Sequence, residues 1–156
     1  MFLVRDTIQA RHTKIRSFLQ NEPVISVLLA ASDFEWTIRR AIIAMSKRPN
    51  KQIRDLLRKT HGLDNYKKIW NREVKPICGK GLPEVVPEWD RFKNTSFPLR
   101  DKIIHGIKVS PGKSYAILQT ERILTASTAV VEFAKEAGYF IYGKHLPIKR
   151  VVACKY

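Results

Sequence analysis

Carboxylates are scarce in this chain, with 14 Asp and Glu against 29 Lys and Arg. Cysteine is scarcer still. Only Cys78 and Cys154 occur, in no C-x-x-C pair, so neither a zinc site nor a disulfide framework is indicated, and a reduced, cytoplasmic protein is the default. No apolar run approaches the roughly 20 residues that span a bilayer. The longest, Val24 to Ala31, is interrupted by Ser26. Arg5 and Asp6 stand where a secretion signal needs its apolar core, so neither export nor membrane insertion is expected. A Gly-rich phosphate loop, H-E-x-x-H and G-x-S-x-G are all missing. No carboxylate cluster suggests bound Mg²⁺, and no metal or cofactor is expected.

What remains is a strongly basic chain of 156 residues. That length suits one domain, and 44% hydrophobic residues with 28% charged predict a folded protein. The formal charge is +15, which opposes compactness by self-repulsion and points to a polyanionic partner. Nucleic acid leads, because neutralised phosphates release counterions. An acidic partner protein or simple solubility is the alternative. After Glu136 no acid occurs, while Lys144, Lys149, Arg150 and Lys155 alternate with Tyr139, Phe140, Tyr142 and Tyr156. Residues 1–138 are therefore predicted as a single helical-bundle domain and 139–156 as a basic aromatic tail. Its rings offer faces for unpaired bases or for packing onto the core.

Helical spacing dominates. Val4, Ile8, Ile15 and Leu19 make one stripe and predict a helix over about 3–20. A second, over about 23–47, starts at Pro23 and is apolar on more than one side, as a central helix would be. Glu35 and Arg39 lie four apart on it and can pair. Short helices follow over about 51–60 and 64–75, with Lys67, Lys68, Arg72 and Lys75 available to a phosphate backbone. The stretch 76–87, rich in Pro and Gly, reads as a loop. A helix over about 88–105 contains Pro98, so a kink or a restart with Ser96 near the cap is expected. A long small-residue helix over about 114–137 ends at Gly138. The only candidate strand is Val151 to Cys154. The predicted fold is all-α, an antiparallel bundle of four to six helices with a short basic tail.

Arg100-Asp101-Lys102-Ile103-Ile104-His105-Gly106 combines an Arg, a polar neighbour, an apolar pair predicted to face inward, a His and a helix-ending Gly. Arg5-Asp6 with His12, and Arg54-Asp55 with His61, match the Arg-polar-spacer-His pattern more loosely. His12 and His61 read as surface or cap residues. Asp101 and His105 share a helix face, so the carboxylate is expected to orient the imidazole and favour its charged form. Arg100 lies about 140° round the helix from His105 and must reach round to join it.

This segment, with the preceding Trp89 and Phe92 helix and the long helix after it, resembles the HEPN superfamily of small helical bundles. The resemblance covers roughly residues 23–138 in architecture and these seven in motif. It implies a metal-independent endoribonuclease, with Arg100 and His105 catalytic and Asp101 in support. It also implies a homodimer that brings two Arg/His pairs to one RNA phosphate. Arg39, Arg40 and Lys102 are candidate phosphate contacts. A toxin or phage-defence role with an antitoxin partner goes with the family. The Tyr found two residues after the His in certain toxin systems is Ile107 here, so regulation through that residue is excluded. The alternative is a non-catalytic basic nucleic-acid-binding module or an inactive HEPN scaffold.

Overall fold

The computed structural model describes residues 7–107, 111–142, 146, 148 and 149. Val4, Arg5, Asp6, His145 and the candidate strand at Val151–Cys154 lie outside them. Among the described residues the fold is all-helical, with no strand. Helix α1 (Ile8–Arg16) is capped by Thr7, whose Oγ1 accepts from the Ala10 amide. It is shorter than the periodicity predicts, because the chain passes into a turn after Arg16. Ile8, Ile15 and Leu19 are nevertheless all buried.

The central helix α2 (Pro23–Met45) begins on its proline. Proline suits that position because its missing N–H is one that no helix start could bond. Val27, Phe34, Ile38, Ile42 and Met45 are buried along it. Helices α3 (Asn50–Arg58) and α4 (Leu63–Glu73) follow as a hairpin. The 76–87 stretch departs from the predicted loop by containing two short helices, α5 (Lys75–Cys78) and α6 (Leu82–Val85). Pro76 and Pro83 sit in their first turns, where proline starts a helix instead of breaking it.

The next segment is built in three pieces: α7 (Trp89–Arg91), a π-turn (Phe92–Ser96) and α8 (Pro98–Ile104). Restart at Pro98 agrees with expectation. Ser96 does not cap it, since its hydroxyl is buried and bonds Gln119 at 2.7 Å. Pro98 offers no N–H, and its ring would press on the carbonyl one turn back. The chain widens first, with the Phe97 amide reaching Phe92 O at 3.0 Å. Phe34 meets Phe92 and Phe97 edge-on, at centroid distances of 4.8 and 5.7 Å. Burying each such ring contributes about 1.5–3 kcal/mol, and this trio fixes α8 against α2. Helix α9 (Lys113–Glu136) closes the bundle.

Long-range contacts set the directions. Ser26 bonds Ile15 while Asp33 reaches Arg11, so α1 runs opposite to α2. Thr60 pairs with Arg39, and Glu73 with Ser46, so α4 runs along α2 after α3 has returned. Arg122 meets Glu88 while Gln119 meets Ser96, so residues 89–104 run opposite to α9. Successive long segments alternate, as an up-and-down bundle requires.

The described part of residues 139–149 lies along α2. Ile141 and Leu146 are buried, and Arg40 donates to the Ile141 carbonyl at 2.6 Å. The Lys149 ammonium bonds the carbonyls of Ile43, Ala44 and Ser46 where α2 ends. A cation there satisfies orphan carbonyls and complements the negative end of the helix.

Candidate active site

The end of α8 is fixed by its backbone. Gly106 takes φ +68, a left-handed turn that a side chain disfavours. The Gly106 amide then bonds Ile103 O, and the Ile107 amide bonds Lys102 O. Together these form a Schellman stop, which places His105 at the exposed C-cap. Ile103 and Ile104 do not both face inward. Ile103 is half-buried against the core, but Ile104 is 58% exposed and Ile107 76%. The early stop turns the last residue of α8 out to solvent, so His105 stands between two exposed apolar side chains.

Arg100 is half-buried and turns toward α2, donating from Nη1 to Glu35 Oε1 at 2.8 Å. Its Nε lies 3.5 Å from Asp101 Oδ1. The Asp101 carboxylate is thus drawn to the neighbouring guanidinium, and no hydrogen bond joins it to the His105 imidazole. The expected orienting contact is absent. The Glu35–Arg39 pair that the spacing offered does not form either, because Glu35 is taken by Arg100. Arg39 instead donates to the Tyr66 phenol at 2.7 Å and to the Thr60 carbonyl at 3.0 Å.

Tyr66 is fully buried in α4. Burial pushes its phenol up from the ordinary value and the Glu35 carboxylate adds to this; Arg39 and Arg100 pull it the other way. Arg39, which holds Tyr66 of α4, stands one turn along α2 from Glu35, which holds Arg100 of α8, so the three helices meet in one polar cluster. Lys102 is exposed on α8. Arg40 points away from this cluster, over the Trp36 ring at 4.8 Å and onto Ile141. Burial first, then repulsion from Arg54, pulls its pKa down, with Tyr142 acting against and Arg11 with them.

The structure corrects the reading of His12 as a surface or cap residue. His12 is 5% exposed, and its Nε2 lies 3.2 Å from Asp33 Oδ2. Arg11 Nε reaches the other oxygen of the same buried carboxylate at 2.6 Å, and its guanidinium covers the Trp36 ring at 4.1 Å. A carboxylate taken wholly from water needs this much compensation. The three side chains pin α1 to α2. His61 is exposed, as expected, but the glycine after it opens α4 at φ +82.

No family model matches the chain, and neither a curated protein nor a solved structure matches it. The candidate site is therefore defined by its own geometry. Two participants escaped the sequence. Glu35 was legible as a helix-surface partner of Arg39, and Tyr66 was one ring within the helix predicted over about 64–75. The signal available for Tyr66 was a phenol on an apolar stripe, since a buried hydroxyl requires a polar partner.

Proposed function

We propose that this protein is a metal-independent endoribonuclease of HEPN type, acting on single-stranded or structured RNA. The observation that carries the reading is that α8 bears both a guanidinium held by Glu35 and, at its exposed end, the His105 imidazole. Arg100 retains donors for phosphate oxygens beyond the one given to Glu35. His105 is suited to moving protons near neutrality. In the reaction a base takes the proton of the 2′-hydroxyl, whose oxygen attacks phosphorus. The 5′-oxygen leaves with a proton from an acid, while Arg100 stabilises the added charge on the phosphoryl group. The products are a 2′,3′-cyclic phosphate and a 5′-hydroxyl. DNA lacks the nucleophile.

Dimerisation fits the same surface. Ile104 and Ile107 flank His105 and are exposed, and a two-fold contact through them brings two Arg100/His105 pairs together. The excess of cations suits RNA as substrate and an acidic antitoxin as regulator, in a cytoplasmic toxin or defence system. No helix among the described residues is long and apolar enough to cross a membrane. Incubation with mixed cellular RNA in excess EDTA, followed by end-group analysis, tests the activity. Cyclic-phosphate ends that vanish with Arg100→Ala and His105→Ala support it, and undiminished cleavage by those folded variants refutes it. RNA retention without turnover would instead mark a binding module, the reading favoured by the exposed cations of α3 and α4.

A further inference from the structure

Glu73, the last residue of α4, is taken out of water, with its side chain 6% exposed. Three donors hold it. The Ser46 hydroxyl, at the C-cap of α2, donates to Oε2 at 3.1 Å. Arg48 Nε lies between the two carboxylate oxygens, 3.0 Å from Oε1 and 3.1 Å from Oε2. Arg72 Nε donates to Oε1 at 2.8 Å. Ser46 Oγ also accepts from the Arg48 amide at 3.1 Å, which fixes the backbone from which that arginine extends. Arg72 precedes Glu73 on the helix, and neighbours there diverge by about 100°. Its stem therefore folds back across the end of α4, and the two guanidiniums meet at one carboxylate.

One cation suffices to neutralise a carboxylate, so this cluster keeps a net positive charge. Both arginines are half exposed. Each gives Nε to Glu73 and retains its Nη groups as donors for a ligand. Lys47 and Lys75 are exposed beside them in sequence, and no acid occurs over 46–54 or 74–83. Two planar forks held by a buried anion suit the non-bridging oxygens of a phosphate. The cluster also lies on the face of α2 that carries the Arg100 pair. Glu35, Arg39 and Ser46 fall within about 40° of one another round that helix, and Ser46 stands about 16 Å beyond Glu35. Glu35 holds Arg100, Arg39 holds Tyr66 and Ser46 holds Glu73.

We propose that Arg48 and Arg72, held by Glu73, form a phosphate-binding subsite that grips an internal phosphodiester of single-stranded RNA, away from the bond that is cut. The inference rests on RNA as the ligand and not on the chemistry of Arg100 and His105. The formal charge of +15 favours a polyanion charged at every unit over an acidic peptide. The subsite anchors the strand and takes no part in proton transfer.

The test is fluorescence anisotropy with a labelled single-stranded 2′-O-methyl RNA oligonucleotide, which keeps the phosphates but has no 2′-hydroxyl to attack. The wild-type full chain is compared with Arg48→Ala, Arg72→Ala, Arg48→Lys and Arg72→Lys. Arg58→Ala removes an exposed cation outside the cluster and serves as the control. Each alanine variant of the cluster is expected to weaken binding about tenfold. The lysine variants keep a cation for Glu73, and so the fold, yet lose nearly as much binding because the fork is gone. Arg58→Ala should change affinity about twofold or less. Replacing both cluster arginines should flatten the slope of log K against log salt by about 0.7. Cluster variants that bind like wild type, or no worse than Arg58→Ala, overturn the proposal and leave the ribonuclease reading to its own assay. A requirement for a 5′-phosphate overturns it in favour of a terminal-phosphate pocket. Poly-glutamate bound as tightly and lost with the same substitutions overturns it in favour of an acidic protein. If the cluster variants lose RNA while wild type shows no EDTA-resistant cleavage, the subsite stands and the ribonuclease reading falls. If wild type binds no RNA, both fall.

Discussion

Glu35 and Arg100 lie 65 positions apart in the chain, yet one carboxylate oxygen accepts the Arg100 guanidinium at 2.8 Å. Both side chains are about one-quarter exposed, at 25% and 26%. The pair therefore keeps Arg100 oriented without sealing it from a ligand. Helix α2 supplies the carboxylate, α8 the guanidinium, and the Phe34–Phe92–Phe97 contacts hold the two helices in register.

Glu35→Gln keeps an acceptor but removes the charge that aims Arg100. RNA cleavage is expected to fall about tenfold, equivalent to about 1.4 kcal/mol of lost transition-state stabilisation. Folding stability should drop by about 1 kcal/mol or less, as for a partly exposed ion pair. Parallel kinetics and thermal melts separate the two effects, and unchanged kinetics would mean that Arg100 needs no guide.

Arg100→Lys preserves the charge but not the planar fork. A lysine cannot hold Glu35 and two phosphate oxygens in one plane, so kcat should drop by about 100-fold. Filter-binding affinity for RNA should change far less. Equal losses in binding and turnover would reduce Arg100 to a simple electrostatic anchor.

Asp33→Ala removes the carboxylate shared by Arg11 and His12, so a residue only 3% exposed loses the anion that its guanidinium bonds. The expected cost is about 3–5 kcal/mol, typical of one side of a buried ion pair. Urea denaturation followed by Trp fluorescence measures it. A loss below about 1 kcal/mol would contradict the pinning of α1 to α2 by this cluster.

The Arg16–Glu121 pair, with two contacts of 2.8 Å, ties α1 to α9. The hydrogen bond from Arg16 holds the Glu121 carboxyl below its usual value of 4.5, against the opposing effect of burial. The folded pKa is therefore lower than the unfolded one. The stabilisation is present above the unfolded pKa and lost as pH falls through the folded pKa. Both side chains are more than a third exposed, so the effect should stay below about 1 kcal/mol. Unfolding free energies between pH 6 and 3 should converge for wild type and Glu121→Gln at the acid end. A constant gap would rule the linkage out.

The helices were legible to the extent that they are local. The apolar stripe of α2, the stops at Gly106 and Gly138, and the small-residue face of α9 follow from a 3.6-residue period and from glycine's tolerance of positive φ. Pro76 and Pro83 misled for the same reason. Proline breaks a helix interior but starts a helix, and only the surrounding chain decides which. Likewise Ile103-Ile104 reads as an inward pair until the Schellman stop sets where the last turn ends.

Charge, helical content and the Arg100–His105 spacing are properties of neighbours along the chain, and the sequence alone determined them. Who holds Arg100, why His12 is buried on Asp33, and how Tyr66 of α4 is joined to α2 depend on contacts between residues 21 to 65 positions apart. Only the packed bundle decided these. A carboxylate's choice among several guanidiniums is made by distance and desolvation in three dimensions, and a one-dimensional period carries no information about either.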